Sequence, residues 1–379
     1  MNQSGSNAGD PVAAPDPQHT PARFRLSTYD YDLPRELIAQ APAARRDQAR
    51  LLVLNEKSDG ILHRAFHQIP SLLRPSDLLV LNESRVIPAS LIGRKAVTGG
   101  RVEILVLNPA ESSGKDRDNS DHAERVCMVS AAKPLREGAV IVIDSGLKLT
   151  ALRAVAPGRW RIRFPVAEPD FLSLLEEHGR PPLPPYIRGE GRDPERDKER
   201  YQTIYARSPG SVAAPTAGLH FTKNLLDQLV DRGVEIERIL LHVGPGTFTP
   251  VRDPDIRDHK MEDEFYEIPE RVARGIRCAS QEGRRIIAVG TTTVRALESA
   301  ARRQGPFCSR KERTDLFMSP GYTFRVVDGM ITNFHLPRST LLMLVCAFAG
   351  TDRILGAYKD AVRARYRFYS YGDACLIIR

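Results

Sequence analysis

The chain has 379 residues, 41% of them hydrophobic and 27% charged, which is enough to bury a core in one large domain or in two to three smaller ones. No apolar run approaches the ~20 residues of a membrane-spanning helix. The five cysteines are scattered and never spaced as Cys-x-x-Cys, which indicates reduced thiols in a cytosolic protein and excludes a disulfide framework. The formal net charge of +8 favours a polyanionic partner such as nucleic acid, although many basic proteins bind none.

The N-terminal part of the chain predicts a disordered leader followed by short buried elements. Residues 1–22 are rich in Pro, Ala, Ser, Asn and Gln and lack the basic and apolar regions of a secretory signal. Residues 32–39 predict a short helix with a proline in its first turn. The apolar runs 51–54 and 78–81 predict buried strands.

A different sequence pattern between residues 87 and 165 predicts a small antiparallel β-barrel. Short alternating segments separated by Gly-rich or polar turns, without a helical stretch, are typical of such a barrel. The predicted strands are residues 89–93, 101–107, 125–130, 139–143, 148–155 and 160–164. The polar stretch 111–124 is predicted to be an exposed loop within it.

The rest of the chain alternates helices with strands, which predicts a sheet covered by helices on both faces. The predicted helices are residues 222–232, 270–282, 293–303, 341–349 and 354–365, and the predicted strands are 234–243 and 284–289. The expected fold is therefore a mixed α/β main domain (residues 23–86 and 166–379) with the barrel (87–165) inserted in it.

Two loops that lead into or out of these elements carry candidate site residues. The Gly- and Pro-rich segment 208–222 precedes a helix and contains Thr216, Gly218 and His220. It suits an anionic ligand that approaches the backbone, or a plain connection in which His220 caps the helix. Residues 241–251 contain His242, Gly244, Gly246 and Thr247 after a strand, but no third glycine or helix follows, so a dinucleotide fingerprint is absent.

Three further segments are rich in polar groups, and each also has a structural interpretation. In segment 285–299, Thr291 or Thr292 is expected to cap a helix beginning near Thr293. Arg295 and Glu298 share a face of that helix, which suits a site but is equally typical of an exposed ion pair. Segment 332–340 concentrates Asn333, His335 and Arg338 in one loop. In segment 365–373, arginines alternate with aromatic residues, which suits stacking on RNA bases or a place in the core.

Two smaller features are less informative. His63 and His67 have a helical metal-ligand spacing, but no carboxylate motif accompanies them, and we expect no metal site. Arg45 and Arg46 belong to a charged turn near the N-terminus.

Five of these segments occur in an order that resembles a known family. Ala214-Pro-Thr-Ala-Gly-Leu-His-Phe-Thr222, His242-Val-Gly-Pro-Gly-Thr-Phe248, Gly290-Thr-Thr-Thr-Val-Arg-Ala-Leu-Glu298, Thr332-Asn-Phe-His-Leu-Pro337 and Phe368-Tyr-Ser-Tyr-Gly-Asp373 resemble the S-adenosylmethionine:tRNA ribosyltransferase-isomerases of queuosine biosynthesis. The resemblance runs from about residue 25 to 378. It departs from the family pattern at four positions, namely Ser84, Ser90, Glu262 and Cys375.

The resemblance implies an α/β fold with an inserted barrel, and a reaction on tRNA with a GUN-type anticodon. The ribosyl part of S-adenosylmethionine is transferred and rearranged onto 7-aminomethyl-7-deazaguanine at the wobble position, which gives epoxyqueuosine, adenine and methionine. S-adenosylmethionine is then a consumed substrate, and no cofactor or metal is implied. We expect a cytoplasmic monomer.

Within that reaction the motifs give a hypothesis for the site. The general base is expected among His220, His242 and His335, because a histidine pKa lies near neutrality. Substrate contacts are expected from Thr216, Gly218, Gly244, Gly246, Thr247, Thr291, Thr292, Arg295, Glu298, Asn333, Tyr369 and Tyr371. Asp373 is expected to orient an amine, and contacts to tRNA are expected from Arg45, Arg46, Arg338, Arg365 and Arg367.

Two other function classes compete with this hypothesis. An RNA methyltransferase would carry a Gly-rich nucleotide loop near the start of an α/β sheet, and no convincing loop of that kind is present. A non-catalytic RNA-binding protein needs only the barrel and the basic charge, and the polar clusters in the loops argue against it.

Overall fold

The structure, a computed structural model, describes residues 20–55, 60–108, 121–187, 194–248 and 250–379. Its strands are β1 Arg50–Asn55, β2 Ile61–Ala65, β3 Leu78–Asn82, β4 Ser84–Val86, β5 Ser90–Lys95, β6 Arg101–Val106, β7 Ala123–Ala131, β8 Val140–Ile143, β9 Lys148–Ala156, β10 Arg159–Phe164, β11 Ser208–Ser211, β12 Glu235–Leu241, β13 Glu264–Ile268, β14 Ile286–Val289, β15 Arg310–Thr314, β16 Gly329–Asn333 and β17 Ala374–Ile378. Its helices are α1 Ile69–Leu72, α2 Phe171–His178, α3 Pro194–Arg200, α4 Lys223–Asp231, α5 Glu270–Gln281, α6 Thr291–Ala301, α7 Thr340–Ala349 and α8 Thr351–Arg363.

A nine-stranded mixed sheet forms the centre of the molecule. Its strand order is β15-β13-β12-β3-β14-β16-β17-β1-β2, and β12, β3, β14 and β16 run parallel to one another. The last strand of the chain, β17, lies between β16 and β1 and pairs with both. The sheet therefore joins the two ends of the described chain, as the predicted α/β fold requires.

Successive side chains of the central strands pack on opposite faces of the sheet. Leu78 and Val80 enter one core, which helices α5 to α8 cover, while Leu79 and Leu81 enter a second core against α4. A strand that is buried on both faces needs an uninterrupted apolar run. The prediction of a sheet covered by helices on both faces is confirmed.

The inserted barrel is closed and antiparallel, with strand order β10-β7-β6-β5-β8-β9. All six barrel strands predicted from the sequence are present, within three residues at either end. The proposed domain boundaries, 87–165 for the barrel, remain a prediction. Of the predicted exposed loop 111–124, residues 111–120 lie outside the described residues, and residues 123–124 belong to β7.

Two local predictions near the N-terminus need comment. The helix predicted over residues 32–39 is wrong, because only a 3-10 turn forms over Arg35–Leu37, and Ile38 is extended and pairs with Phe368. Residues 1–19 of the predicted leader lie outside the described residues. Its last residues are ordered, with Thr20 buried and its carbonyl accepting a hydrogen bond from Arg25 Nε at 2.6 Å.

A buried ion pair connects α6 to β13. The Arg295 and Glu264 side chains are each only 4% exposed and hydrogen-bond directly to each other. Arg295 also donates to the Leu316 carbonyl at 3.2 Å, and Glu264 Oε1 accepts the backbone N–H of Gly244 at 2.9 Å. The pair therefore fixes the loop after β12 relative to α6.

We expect Arg295→Ala to lower the free energy of unfolding by about 3–5 kcal/mol, because it leaves the Glu264 carboxylate buried without a counter-charge. Urea unfolding of the wild type and the variant measures this change. Lys223→Ala is the control, since its ion pair with Asp227 is exposed and contributes about 0.3–0.5 kcal/mol. A loss below about 1 kcal/mol in Arg295→Ala would contradict the assigned role of the pair.

Candidate active site

A cleft opens where the parallel strands of the central sheet end. The carboxyl ends of β3, β12, β14 and β16 lie at one edge, which is where open α/β sheets bind ligands. The cleft contains about 620 Å³ of empty space, including the part open to solvent. Its walls come from residues 214–217, 290–292, 332–336 and 369–370, together with Tyr186, Val243, Thr247, Ser339 and Leu341.

The N-terminus of α6 forms one wall of the cleft. Gly290 has φ of +90°, a conformation that a side chain disfavours, and this residue turns the chain from β14 directly into the helix. The helix begins at Thr291, two residues earlier than predicted, and neither Thr291 nor Thr292 caps it as predicted. Because no side chain caps it, its first N–H groups and the positive end of its dipole are available to an anion.

The Asn333 amide forms the opposite wall, at the end of β16. Its Nδ2 donates to the Tyr369 carbonyl at 3.2 Å and lies 3.3 Å from His220 Nε2, which accepts its other hydrogen. These contacts fix the orientation of the amide. Asn333 Oδ1 is buried and has no hydrogen-bond partner among the described residues. A buried carbonyl oxygen without a partner beside a cleft is a place for a ligand donor.

The three candidate histidines occupy different positions, and only His335 lines the cleft. Its Nε2 is 2.8 Å from Thr332 Oγ1. His220 lies behind Asn333 and lines a separate pocket, and the predicted alternative of a helix cap is wrong because Thr222 caps α4. His242 packs in a stack on Phe265, with 5.7 Å between ring centroids, and does not line the cleft.

Burial keeps all three imidazoles neutral near pH 7. It lowers the pKa of His220 and of His242 to about 4, and the pKa of His335 to about 3. A neutral imidazole can accept a proton, but a pKa of about 3 to 4 makes it a weaker base than a free histidine, so the pKa near neutrality that was expected of the general base is not found in this structure.

Three charged residues of the motifs form ion pairs or hydrogen bonds within the protein and are not available to a ligand in the cleft. Arg295 pairs with Glu264, and Glu298 accepts the backbone N–H groups of residues 325–327, so the two do not form the exposed pair that their spacing allows. The Asp373 carboxylate accepts the backbone N–H groups of Arg50 at 2.9 Å and Arg367 at 2.8 Å. None of the three lines the cleft, and each one instead orders a loop beside it.

The other predicted substrate contacts divide between the cleft and its surroundings. Thr216, Thr247, Thr291, Thr292, Asn333 and Tyr369 line the cleft. The three predicted glycines do not line the cleft. A methyl group would meet Tyr205 at Gly218 and Glu262 at Gly246, while the backbone N–H of Gly244 donates to Glu264. Tyr371 lines the pocket of His220.

The aromatic residues of segment 365–373 belong to the core, which was the structural interpretation of that pattern. Tyr366 and Phe368 are fully buried, and Tyr369 and Tyr371 nearly so. Tyr369 still presents part of its ring to the cleft, where it packs on Tyr186 with ring centroids 4.7 Å apart. The sequence analysis missed Tyr186, which lies in a proline-rich connection without a periodic pattern, and Ser370, whose hydroxyl is 2.6 Å from the Tyr186 hydroxyl.

The five arginines expected to contact tRNA are in different environments. Arg45 pairs with Asp47 and Arg338 with Asp30 on the surface, and Arg365 is exposed. Arg46 and Arg367 line the pocket of His220 together with Arg200, which the sequence analysis missed.

The described residues contain neither a metal-binding cluster nor a single membrane-spanning helix. No group of three or more His, Cys, Asp or Glu side chains in these parts of the chain is arranged to hold a metal ion. No single described helix is long and apolar enough to cross a membrane, and only the sharply bent pair α7 and α8, taken together, reaches that length and composition.

Comparisons with known proteins identify the family. The family model described as queuosine biosynthesis protein matches residues 26–377. The S-adenosylmethionine:tRNA ribosyltransferase-isomerase of Anaeromyxobacter sp. (strain Fw109-5) is 50% identical over 356 residues, which covers 94% of this chain and 99% of that protein. The chain belongs to the S-adenosylmethionine:tRNA ribosyltransferase-isomerase family.

Other members agree with this assignment. The ribosyltransferase-isomerase of Symbiobacterium thermophilum is 49% identical over 355 residues, or 94% of this chain and 100% of that protein. S-adenosylmethionine tRNA ribosyltransferase from Thermotoga maritima is 38% identical in sequence to this chain. Its crystal structure matches this fold with a TM-score of 0.52, and the match covers 93% of this chain and 100% of that chain. The resemblance and the fold class expected from the sequence are confirmed.

We expect stability to depend on pH through these histidines. An unfolded histidine takes up a proton below about pH 6.5, whereas folded His335 resists protonation until about pH 3. The unfolded state therefore binds more protons in this range, and the stabilisation present above about pH 6.5 is lost as the pH falls. Between pH 7 and pH 5 the wild type should lose about 2 kcal/mol more than His335→Gln in urea unfolding. Equal losses would show that His335 is protonated at the same pH in both states.

Proposed function

We propose that this protein transfers and isomerises the ribosyl moiety of S-adenosylmethionine onto 7-aminomethyl-7-deazaguanine at the wobble position of tRNA. The products are epoxyqueuosine in tRNA, adenine and methionine. The proposal extends to tRNA with a GUN-type anticodon, and to a cytoplasmic monomer that uses no cofactor or metal. Its support is the family membership together with one observation. The described lining of the cleft contains no Asp, Glu, Lys or Arg, and its one histidine, His335, is neutral.

The lack of a carboxylate in this lining matters for the chemistry. A sulfonium bound against neutral groups keeps its full electron-withdrawing effect, which acidifies the neighbouring 5′ carbon of the ribose. An aspartate or glutamate in contact would reduce that effect by forming an ion pair. The two carboxylates within the five motifs, Glu298 and Asp373, accept hydrogen bonds from backbone N–H groups.

The remaining groups of the cleft suit the two ends of the substrate. The open N-terminus of α6 provides N–H groups for the methionine carboxylate. Asn333 Oδ1 accepts a hydrogen bond from an amino group of the substrate, which satisfies this buried oxygen. The Tyr186 and Tyr369 rings offer an apolar surface to a base.

His335 is the histidine best placed to act as the general base. It removes the proton from the 5′ carbon, and a double bond forms between the 5′ and 4′ carbons as the bond from the 4′ carbon to the ring oxygen breaks. That oxygen becomes the carbonyl oxygen of the 1′ carbon as the carbon–nitrogen bond breaks, and adenine leaves with a proton taken from water. The neutral amine of the tRNA base attacks the resulting intermediate, and methionine leaves as the epoxide closes. His220 acts through Asn333 and is a positioning residue, because it does not line the cleft and its Nε2 contacts the Asn333 amide.

The proposal is tested by incubating the purified protein with S-adenosylmethionine and tRNA bearing the aminomethyl-deazaguanine base. We expect adenine and methionine to be released in equal amounts, with an epoxycyclopentane-modified nucleoside in the digested tRNA by mass spectrometry. S-adenosylhomocysteine in place of adenine would mean methyl transfer. Tight tRNA binding without turnover would favour a non-catalytic RNA-binding protein.

We expect His335→Gln to lower kcat by a factor of about 10² or more, as removal of a general base does. The KM for S-adenosylmethionine should change by less than about threefold, because glutamine keeps a hydrogen-bonding group at the site. His242→Gln is measured in parallel, and His63→Gln on the surface is the control. A larger loss in His242→Gln than in His335→Gln would assign the base to His242.

A further inference from the structure

A second pocket lies behind the cleft and is lined by three arginines from separate parts of the chain. Arg46 follows the N-terminal segment, Arg200 ends α3, and Arg367 precedes β17. His220 and Tyr371 also line this arginine pocket, whose empty space of about 270 Å³ includes the part open to solvent. No residue of its lining is acidic.

The arginines are held in place by backbone carbonyls, which leave their charges largely uncompensated. Arg46 donates to the carbonyls of Leu219 at 3.2 Å and Glu199 at 3.1 Å. Arg200 donates to those of Ala43 at 2.7 Å and Ala44 at 3.3 Å. Within the described residues neither guanidinium is paired with a carboxylate.

The charges also act on one another. Arg367 is paired with Asp373, with 3.8 Å between its Nη2 and Asp373 Oδ1, so the uncompensated charge of the pocket belongs to Arg46 and Arg200. Burial and then repulsion from Arg200 lower the pKa of Arg46, with Glu199 acting in the opposite direction. Arg200 Nε is buried without a partner among the described residues. Positive charge concentrated in this way is stabilised by a bound anion.

The arginine pocket adjoins the cleft through two residues. Ser370 lines both, and His220 of the arginine pocket contacts Asn333 of the cleft. The cleft has its own anion site at the N-terminus of α6. S-adenosylmethionine carries one carboxylate, whereas an RNA substrate carries a phosphate on each side of every nucleotide. Two adjacent anion sites therefore fit one group from each substrate.

We propose that the arginine pocket binds a backbone phosphate of the tRNA, next to the nucleotide whose base enters the cleft. This inference rests on the proposed function and adds a subsite to it. The methionine carboxylate of S-adenosylmethionine offers the same chemistry and is the alternative source of the anion. Arg200, Arg46 and Arg367 then position the RNA and do not take part in bond breaking.

The test measures the binding of a labelled anticodon stem-loop RNA with a GUA anticodon as a function of salt concentration. We expect Arg200→Gln to raise the Kd about tenfold and to reduce the slope of log Kd against log salt by about 0.7, the value for one phosphate of a single strand. Arg200→Lys keeps the charge and should keep the slope. The control is Arg274→Gln, which removes an exposed arginine of α5.

The Kd for S-adenosylmethionine alone, measured by calorimetry, distinguishes the two anions. We expect it to change by less than twofold in Arg200→Gln, and a loss of this affinity with unchanged RNA binding would assign the pocket to the carboxylate. If Arg200→Gln melts at a lower temperature than the wild type, Arg46→Gln decides, because the Arg46 side chain donates to the carbonyls of Leu219 and Glu199 and not to the Ala43–Ala44 segment that Arg200 binds.

The outcomes separate this inference from the proposed function. Formation of the modified nucleoside by the wild type, with an unchanged salt slope in both glutamine variants, would overturn the arginine pocket alone. A reduced slope in the variants of a protein that forms no such nucleoside would support the pocket and overturn the activity. A wild type that neither binds the RNA nor forms the modified nucleoside would overturn both.

Discussion

The candidate site depends on one side-chain amide, that of Asn333. Its Nδ2 donates to the Tyr369 carbonyl and to His220, which connects the loop before β17 with the 3-10 turn Thr216–His220. Because Asn333 ends β16, which pairs with β17, the same strand pairing that builds the middle of the sheet also determines the spacing of the site walls. The amide is 3% exposed, so no water replaces these bonds, and its orientation leaves Oδ1 for a ligand.

The distribution of charge follows from how the buried carboxylates are used. Glu264 is paired with Arg295, Glu298 binds the loop before β16, and Asp373 binds two backbone N–H groups. Buried charges need such partners, since an unpaired one costs several kcal/mol. The acidic residues of the motifs therefore stabilise loops, and the cleft is left with neutral hydroxyl, amide and imidazole groups beside the end of a helix dipole.

The sequence predicted most of the fold, because buried strands and amphipathic helices leave a periodic pattern that local residues determine. The prediction was wrong where long-range contacts determine the local structure. At residues 32–39, for example, pairing of Ile38 with Phe368 replaces the predicted helix. The site shows the same limit. Spacing places Arg295 and Glu298 on one helix face, but their partners come from β13 and from residues 325–327. Tyr186, Arg200 and Ser370 lie in loops or at helix ends, where no period marks them.

The loop before β17 connects the two pockets, and its backbone geometry explains how. Tyr369 has φ of +72°, which turns the chain so that Tyr369 lines the cleft, Tyr371 lines the arginine pocket and Ser370 lines both. Asp373 holds this loop to β1 by accepting the backbone N–H of Arg50. An anion bound to the Arg367 guanidinium would therefore contact a loop that also forms a wall of the cleft. One short loop therefore contributes wall residues to both the cleft and the arginine pocket.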